Sequence, residues 1–301
     1  IEDYEESILR SPDFPTVHRN LALAYYNVKK LPQRAYEEME KAFALDETDA
    51  RVYLELDQLK KRLNVAVKER WSDMEKHFDL VESRDDLYLE YVTLLNTLGE
   101  PEKALGLIKA RKFHQWEGGE GKVAAQYLTA LYQLAKAAVE KEDYAEAKEL
   151  LLRAVGEYPH NLGEGKLESG QENNLYYLLG LVQEKLGEAK DAFESLTRAC
   201  CGESEPVGMM YYNDQPPEMI YYQGLAYRML GEEEQAVRRF QKLVDYGREH
   251  IRDDVKIDYF AVSLPDLLIF EENLNERNRK HCLFMMSLGL KGLGRSEEHT
   301  S

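Results

Sequence analysis

Apolar residues recur at three- and four-residue steps along most of the chain, in short segments that end at glycines. Within residues 174–199, a first segment carries Tyr176 and Leu179, Gly187 follows, and a second segment carries Leu196. Steps of three and four residues place side chains on one face of a helix, and glycine commonly follows the last turn. The pattern therefore predicts two short antiparallel helices joined at Gly187.

Small residues stand at fixed places in this helical pair. Gly180 lies in the first helical segment and Ala192 in the second. Side chains without bulk allow two helices to approach closely, while larger neighbours fill the remaining space. We expect Gly180 and Ala192 to face each other across the hairpin.

The same pattern recurs along the chain. Gly224 and Ala135 take the place of Gly180 in a downstream and an upstream copy, weaker copies lie around residues 22–42 and 92–108, and a truncated copy covers residues 282–294. A single helical pair cannot bury its apolar face, so such units stack on their neighbours. The chain is therefore expected to form a tandem array.

These copies resemble the tetratricopeptide repeat, a helix–turn–helix unit of about 34 residues. The resemblance implies an all-α fold, a right-handed α-solenoid of about six helical hairpins with long inter-repeat loops. We expect one domain over residues 1–294. The tail 295–301 departs from the pattern and is expected to be non-native or disordered.

The resemblance also implies that the first helix of each hairpin lines a concave groove. The residues three positions before the aligned small residues are Tyr132, Tyr177 and Tyr221, with Phe284 in the truncated copy. We predict that these aromatic residues and Arg228 contact a ligand. The alternative is that the aromatic rings fill space between adjacent first helices.

Three insertions interrupt the repeats, at residues 160–170, 202–217 and 251–265. Each follows a second helix, so stacking is expected to bring them together on one edge. Long loops are commonly functional, and these contain several apolar residues. We predict that this edge docks another domain or chain through Lys166, Tyr211, Tyr212, Asn213 and Tyr259.

The insertions carry a second resemblance, over about residues 120–290. The segments GEGKLESGQENNLYYLLG, MMYYNDQPPEMIYYQGLAYR and VKIDYFAVSLPDLLIFEENLNERNRKHC look like the C-terminal part of a family of large bacterial proteins. In that family a β-rich, carbohydrate-enzyme-like N-terminal domain of unknown function precedes a tetratricopeptide array. The resemblance implies that this chain is a fragment, truncated at both ends.

Charge and motifs exclude several classes of function. The formal net charge of −17 argues against binding nucleic acid or anionic membranes. Three cysteines without a CxxC spacing fit a reducing compartment, so a cytoplasmic location is predicted. The two GEGK segments lack the other residues of a P-loop, and the seven histidines include no HExxH pair. We therefore expect no catalytic site, metal or cofactor within these residues.

Two hypotheses of function follow. The first is a non-catalytic scaffold that binds a protein, a peptide or a companion domain of the same chain. The alternative is the accessory repeat region of a larger bacterial carbohydrate-active enzyme whose catalytic domain lies upstream.

Overall fold

The computed structural model describes residues 2–116, 118–166, 170–208, 214–256 and 269–295. In these ranges the regular secondary structure is helical. The α-helices are α1 (Glu2–Arg10), α2 (Pro15–Asn27), α3 (Pro32–Leu45), α4 (Ala50–Arg62), α5 (Val67–Lys76), α6 (Phe78–Ser83), α7 (Asp85–Thr97), α8 (Pro101–Ala110), α9 (Lys122–Glu140), α10 (Tyr144–Val155), α11 (Asn173–Lys185), α12 (Ala189–Ala199), α13 (Pro217–Met229), α14 (Glu233–His250) and α15 (Leu274–Gly292). A 3₁₀ turn covers His160–Leu162.

The helices are paired as hairpins, α2 with α3, α4 with α5, α7 with α8, α9 with α10, α11 with α12 and α13 with α14. We call α2, α4, α7, α9, α11 and α13 the first helices. The predicted all-α fold of tetratricopeptide-like hairpins is confirmed.

A left-handed residue makes the turn within each hairpin. In the α11–α12 hairpin, Gly187 has a φ of 78° and the Glu188 N–H donates to the Gln183 carbonyl at 2.9 Å. Such a turn satisfies carbonyls at the end of the first helix, and glycine adopts it without steric cost. The residues with positive φ at the equivalent turns are Lys30, Asn64, Gly99, Glu142 and Gly231.

The chain divides into two compact units. Unit 1 contains the described residues up to Gln126 together with Ile269–Glu272, and unit 2 contains the others. Helix α9 contributes its first five residues, 122–126, to unit 1 and the remainder to unit 2. One domain over residues 1–294 remains a prediction, and all of the predicted tail beyond Arg295 lies outside the described residues.

The segment after α4 differs from its sequence prediction. The apolar pattern predicts one helix over residues 65–81, but the helix is interrupted at His77 between α5 and α6. The His77 ring packs edge-on against Phe43 at 5.3 Å and lies 4.9 Å from the Tyr53 ring. Its Nδ1 is 3.0 Å from the Asp73 carbonyl oxygen, which a continuous helix would use for its own backbone. Contacts distant in sequence therefore fix this break.

The predicted close contact between paired helices is confirmed at Gly180. A Cβ atom there would lie 2.6 Å from Leu196 Cγ and 3.3 Å from the Ala192 carbonyl oxygen. In the next hairpin, a Cβ on Gly224 would collide with the Phe240 ring. The small residues thus set the distance between the two helices of these two hairpins.

Gly180→Leu is expected to destabilise unit 2 by about 1–3 kcal/mol, because the new side chain overpacks the contact with Leu196. Gly106 on α8 is the matched control: it is exposed, and a Cβ there meets nothing within 4 Å. Gly106→Leu is expected to leave stability unchanged or to raise it by up to about 1 kcal/mol. Chemical unfolding followed by circular dichroism measures both; equal stability of Gly180→Leu and the parent would contradict the helix register.

Candidate functional site

A tyrosine cluster joins three first helices of unit 2. The Tyr132 hydroxyl of α9 lies 2.8 Å from the Tyr222 hydroxyl of α13. The Tyr177 ring of α11 and the Tyr221 ring of α13 lie 5.5 and 5.8 Å from the ring of Tyr222. The three tyrosines predicted for the groove therefore meet through a fourth, Tyr222, which the repeat alignment did not select.

The environment of this cluster is that of helix packing. Burial raises the pKa values of Tyr132, Tyr177 and Tyr221 above that of free tyrosine. Tyr221 also packs against the Phe240 ring of α14 at 5.6 Å between centroids. These contacts agree with the alternative that the tyrosines fill space between adjacent first helices.

The remaining groove candidates differ in their surroundings. Arg228 forms an ion pair with Glu233 at 2.7 Å, donates to the Gly292 carbonyl at 2.9 Å and lies over the Phe240 ring. Arg228 therefore ties α13 to α14 and α15. Phe284 lies on α15 and exposes 46% of its surface.

The predicted loop-edge residues divide into two groups. Lys166 forms an ion pair of 2.7 Å with the buried carboxylate of Glu172 and donates to the Val155 carbonyl at 2.5 Å. These bonds hold its ammonium group within its own loop. The other four candidates, Tyr211, Tyr212, Asn213 and Tyr259, lie outside the described residues.

The described part of the second insertion is fixed to neighbouring helices. Gln223 on α13 donates to the carbonyls of Cys201 and Glu203 at 3.0 and 2.9 Å. A ring nitrogen of His281 on α15 lies 2.8 Å from the Val207 carbonyl. Hydrogen bonds thus fix residues 201–207, whereas a single surface formed by all three insertions remains a prediction.

Unit 1 contains an opening on its first helices, a cavity of about 830 Å³. Its walls come from α4, α7 and the start of α9, with Trp116, Gly118 and the segment Ile269–Glu272 at the margins. The lining residues from the three helices are Arg51, Leu54, Glu55, Gln58, Lys61, Arg62, Asp86, Leu89, Glu90, Thr93, Lys122, Ala125 and Gln126, and Arg84 precedes α7.

A buried carboxylate forms part of the α4 wall. Glu55 is fully buried and accepts two hydrogen bonds from Arg19 of α2, at 2.5 and 2.7 Å, and one from Arg51 at 3.1 Å. A two-pronged arginine–carboxylate pair is strong and directional. It therefore joins α2 to α4 through Glu55.

A second charge network joins α4, α5 and α7. The buried guanidinium of Arg70 binds Asp57 at 2.9 and 2.6 Å and Glu90 at 2.7 Å, while Lys61 lies 3.2 Å from Glu90. Burial raises the pKa of Glu90, but the charges of Lys61 and Arg70 outweigh it, so the pKa lies below the ordinary value. Glu90 is therefore an anion near neutral pH, with two cationic partners.

Most charges of the cavity wall are paired. Glu55 and Glu90 have the partners described above, and Asp86 binds Arg84 at 2.6 Å. The amides of Gln58 and Gln126 also line the wall. The wall therefore offers hydrogen-bonding groups and some apolar surface. In the described part of the wall, no nucleophile lies beside a base.

The sequence did carry a signal for this surface. The lining residues of α4 lie at steps of one, three and four residues from Arg51 to Arg62. Such spacing is that of one helix face. Because all of these side chains except Leu54 are polar, the face resembles ordinary solvated surface, and the sequence places the predicted groove downstream at the aromatic residues.

Two segments, residues 129–161 and 218–246, match the family model of the tetratricopeptide repeat. They contain parts of the α9–α10 and α13–α14 hairpins. These two segments of unit 2 therefore match the tetratricopeptide repeat.

Several solved structures are similar to the chain. YrrB, titled a TPR protein with an unusual peptide-binding site, is 18% identical, with a TM-score of 0.42, over 65% of this chain and 90% of its own. PilW, a type IV pilus biogenesis factor, is 13% identical, with a TM-score of 0.40, over 77% and 92%. The TPR domain of P58(IPK) is 17% identical, with a TM-score of 0.36, over 95% and 70%.

The helices of the described ranges include none that is both long and apolar enough to cross a lipid bilayer. Within the same ranges, no group of three or more histidine, cysteine, aspartate or glutamate side chains is arranged to hold a metal ion.

Glu90→Gln tests the charge network of unit 1. A lowered carboxylate pKa stabilises the fold above the unfolded-state value of about 4.3, and this contribution disappears as the pH falls through the folded-state pKa. The variant is therefore expected to lose about 1–3 kcal/mol at pH 7 and to approach the parent as the pH falls below the folded-state pKa of Glu90.

Urea unfolding at several pH values, followed by tryptophan fluorescence, measures this difference, because both tryptophans, Trp71 and Trp116, belong to unit 1. Glu37→Gln, at an exposed position of α3, is the control. A loss of stability that does not depend on pH would contradict the assigned ionisation of Glu90.

Proposed function

We propose that the chain is a non-catalytic scaffold that binds a segment of a protein partner on the first-helix face of unit 1. The cavity of about 830 Å³ across three consecutive first helices carries this proposal. Ligand sites are commonly concave openings of about 300–1,000 Å³ that place a few polar groups among apolar ones. The repeats themselves support an interaction role.

The chemistry of the wall favours an extended peptide segment. The Gln58 amide can both donate and accept hydrogen bonds, as the backbone of an unpaired peptide requires. The Gln126 Oε1 accepts from Asn96 at 2.9 Å, so Gln126 contributes its Nε2 donor. Leu54 and Trp116 supply apolar surface. Because most of the wall charges are paired, the partner segment is expected to be of mixed character and not strongly acidic or basic.

Unit 2 supplies a second proposed contact surface. Phe284 and its neighbour Leu283 expose 46% and 47% of their surfaces on α15. Exposed apolar neighbours of this kind are common where proteins associate. We include Tyr132, Tyr177, Tyr221 and Arg228 in this proposed surface for a protein partner or companion domain. These four residues also pack between helices, as described above.

The accessory role in a bacterial carbohydrate-active enzyme stays a prediction from the resemblance of the insertions. No feature of the described helices favours it over the scaffold. The net charge of −17 supports a protein partner over nucleic acid, and a cytoplasmic location remains our proposal.

Peptide selection from a random display library tests the binding role. The intact chain is expected to enrich a family of related sequences with dissociation constants near the micromolar range. Thr93→Trp places an indole in the cavity and is expected to weaken binding of the selected peptides by about tenfold or more.

Thr97→Trp is the matched control. Thr97 lies one turn later on α7, is exposed, and donates to the carbonyl four residues before it, as Thr93 does. Equal affinity of the two tryptophan variants for the selected peptides, or no enrichment of any sequence, would refute the cavity as the binding site.

A further inference from the structure

A short segment of the chain lies against the first helix of unit 1. Residues Ile269–Glu271 precede α15 of unit 2, yet they belong to unit 1. They contact the last turn of α2 and the residues just after it through backbone, aromatic and charged groups.

A single side chain binds the segment's backbone on both sides of Phe270. Asn27 Nδ2 donates to the Ile269 carbonyl at 2.8 Å, and Asn27 Oδ1 accepts from the Glu271 N–H at 2.9 Å. A primary amide has both a donor and an acceptor, so it satisfies these two backbone groups as a neighbouring peptide would. This contact requires an exposed peptide backbone but no particular side chain.

The side chains of the segment add selectivity. Phe270 is 1% exposed, and its ring packs edge-on against Tyr26 at 5.0 Å and 70°. The Glu271 carboxylate lies 2.5 Å from Lys30 Nζ, and both of these side chains are largely exposed. An aromatic residue is therefore enclosed, and an acidic residue immediately after it meets a cation at the surface.

The docking position is adjacent to the cavity. Ile269 and Glu272 line its margin. Arg19 lies seven residues, about two turns, before Tyr26 on α2 and binds Glu55 of the cavity wall. The surface that holds Phe270 is therefore continuous with the first-helix face.

We propose that Tyr26, Asn27 and Lys30 form a binding site for an extended peptide in which an aromatic residue is followed by an acidic one. The segment Ile269–Glu271 is its intramolecular ligand. A partner segment with the same pattern competes with Ile269–Glu271 for this site. The chain's own segment therefore lowers the affinity of the site for the partner. This inference deepens the proposed function by naming the partner's chemistry.

The test uses the labelled peptide acetyl-Ile-Phe-Glu-Glu-Asn-amide and the full chain. Phe270→Ala empties the site, and the peptide is expected to bind this variant about tenfold or more tighter than the parent, because the internal segment reduces the competent fraction. Fluorescence anisotropy measures both affinities. Equal affinities would overturn the proposal.

Two further variants locate the binding. Adding Asn27→Ala to Phe270→Ala is expected to abolish the gain, whereas adding Asn20→Ala, at a partly buried position on the same helix, is expected to preserve it. If Asn27→Ala leaves the gain intact, the assigned site is wrong.

A second measurement applies if Phe270→Ala unfolds. In Asn27→Ala alone, hydrogen exchange at the Glu271 amide is expected to accelerate while the helices keep their protection. Unchanged exchange would overturn the proposal. Light scattering that showed the parent to be a dimer, with the segment docked on the other copy, would also overturn it. These readouts are independent of the Thr93→Trp result, because Thr93 lies on α7 and the docking residues lie at α2.

Discussion

Close approach between the two helices of a hairpin is the constraint on which the rest of this fold depends. At Gly180 the backbone itself meets Leu196, and at Gly224 it meets the Phe240 ring. Helices of 10–14 residues are marginal alone, and tertiary packing supplies most of their stability. A hairpin that closes tightly presents a defined outer face, so the next hairpin can stack on it and extend the core.

The polar surface of unit 1 likewise depends on helix packing. Arg19 reaches Glu55, and Arg70 reaches Glu90, only because α2, α4, α5 and α7 are held side by side. Buried charges are costly unless a partner and its hydrogen bonds are correctly placed. Glu55 and Glu90 both line the cavity, so the candidate site of unit 1 is a product of the packing beneath it.

The sequence predicted the hairpins well, because glycine, alanine and large apolar residues at this fixed spacing favour one arrangement, two closely packed antiparallel helices. It predicted Gly180 against the second helix of its hairpin, and the structure places Leu196 there. It missed the break at His77, since the responsible Phe43 and Tyr53 rings are distant in sequence. The unit 1 surface was also missed, because a row of charged and amide side chains on a helix has no property that separates a binding wall from solvated surface.

Phe240 shows how tightly such packing couples distant positions. Its ring occupies the space that a Cβ atom would take at both Gly224 and Gly292, residues of two different helices. A larger residue at either glycine therefore requires a smaller one at position 240, and a smaller residue at 240 leaves a void between α13 and α15. Among homologues these three positions should covary as a triplet, and a designer transplanting one hairpin into another array would have to carry all three together.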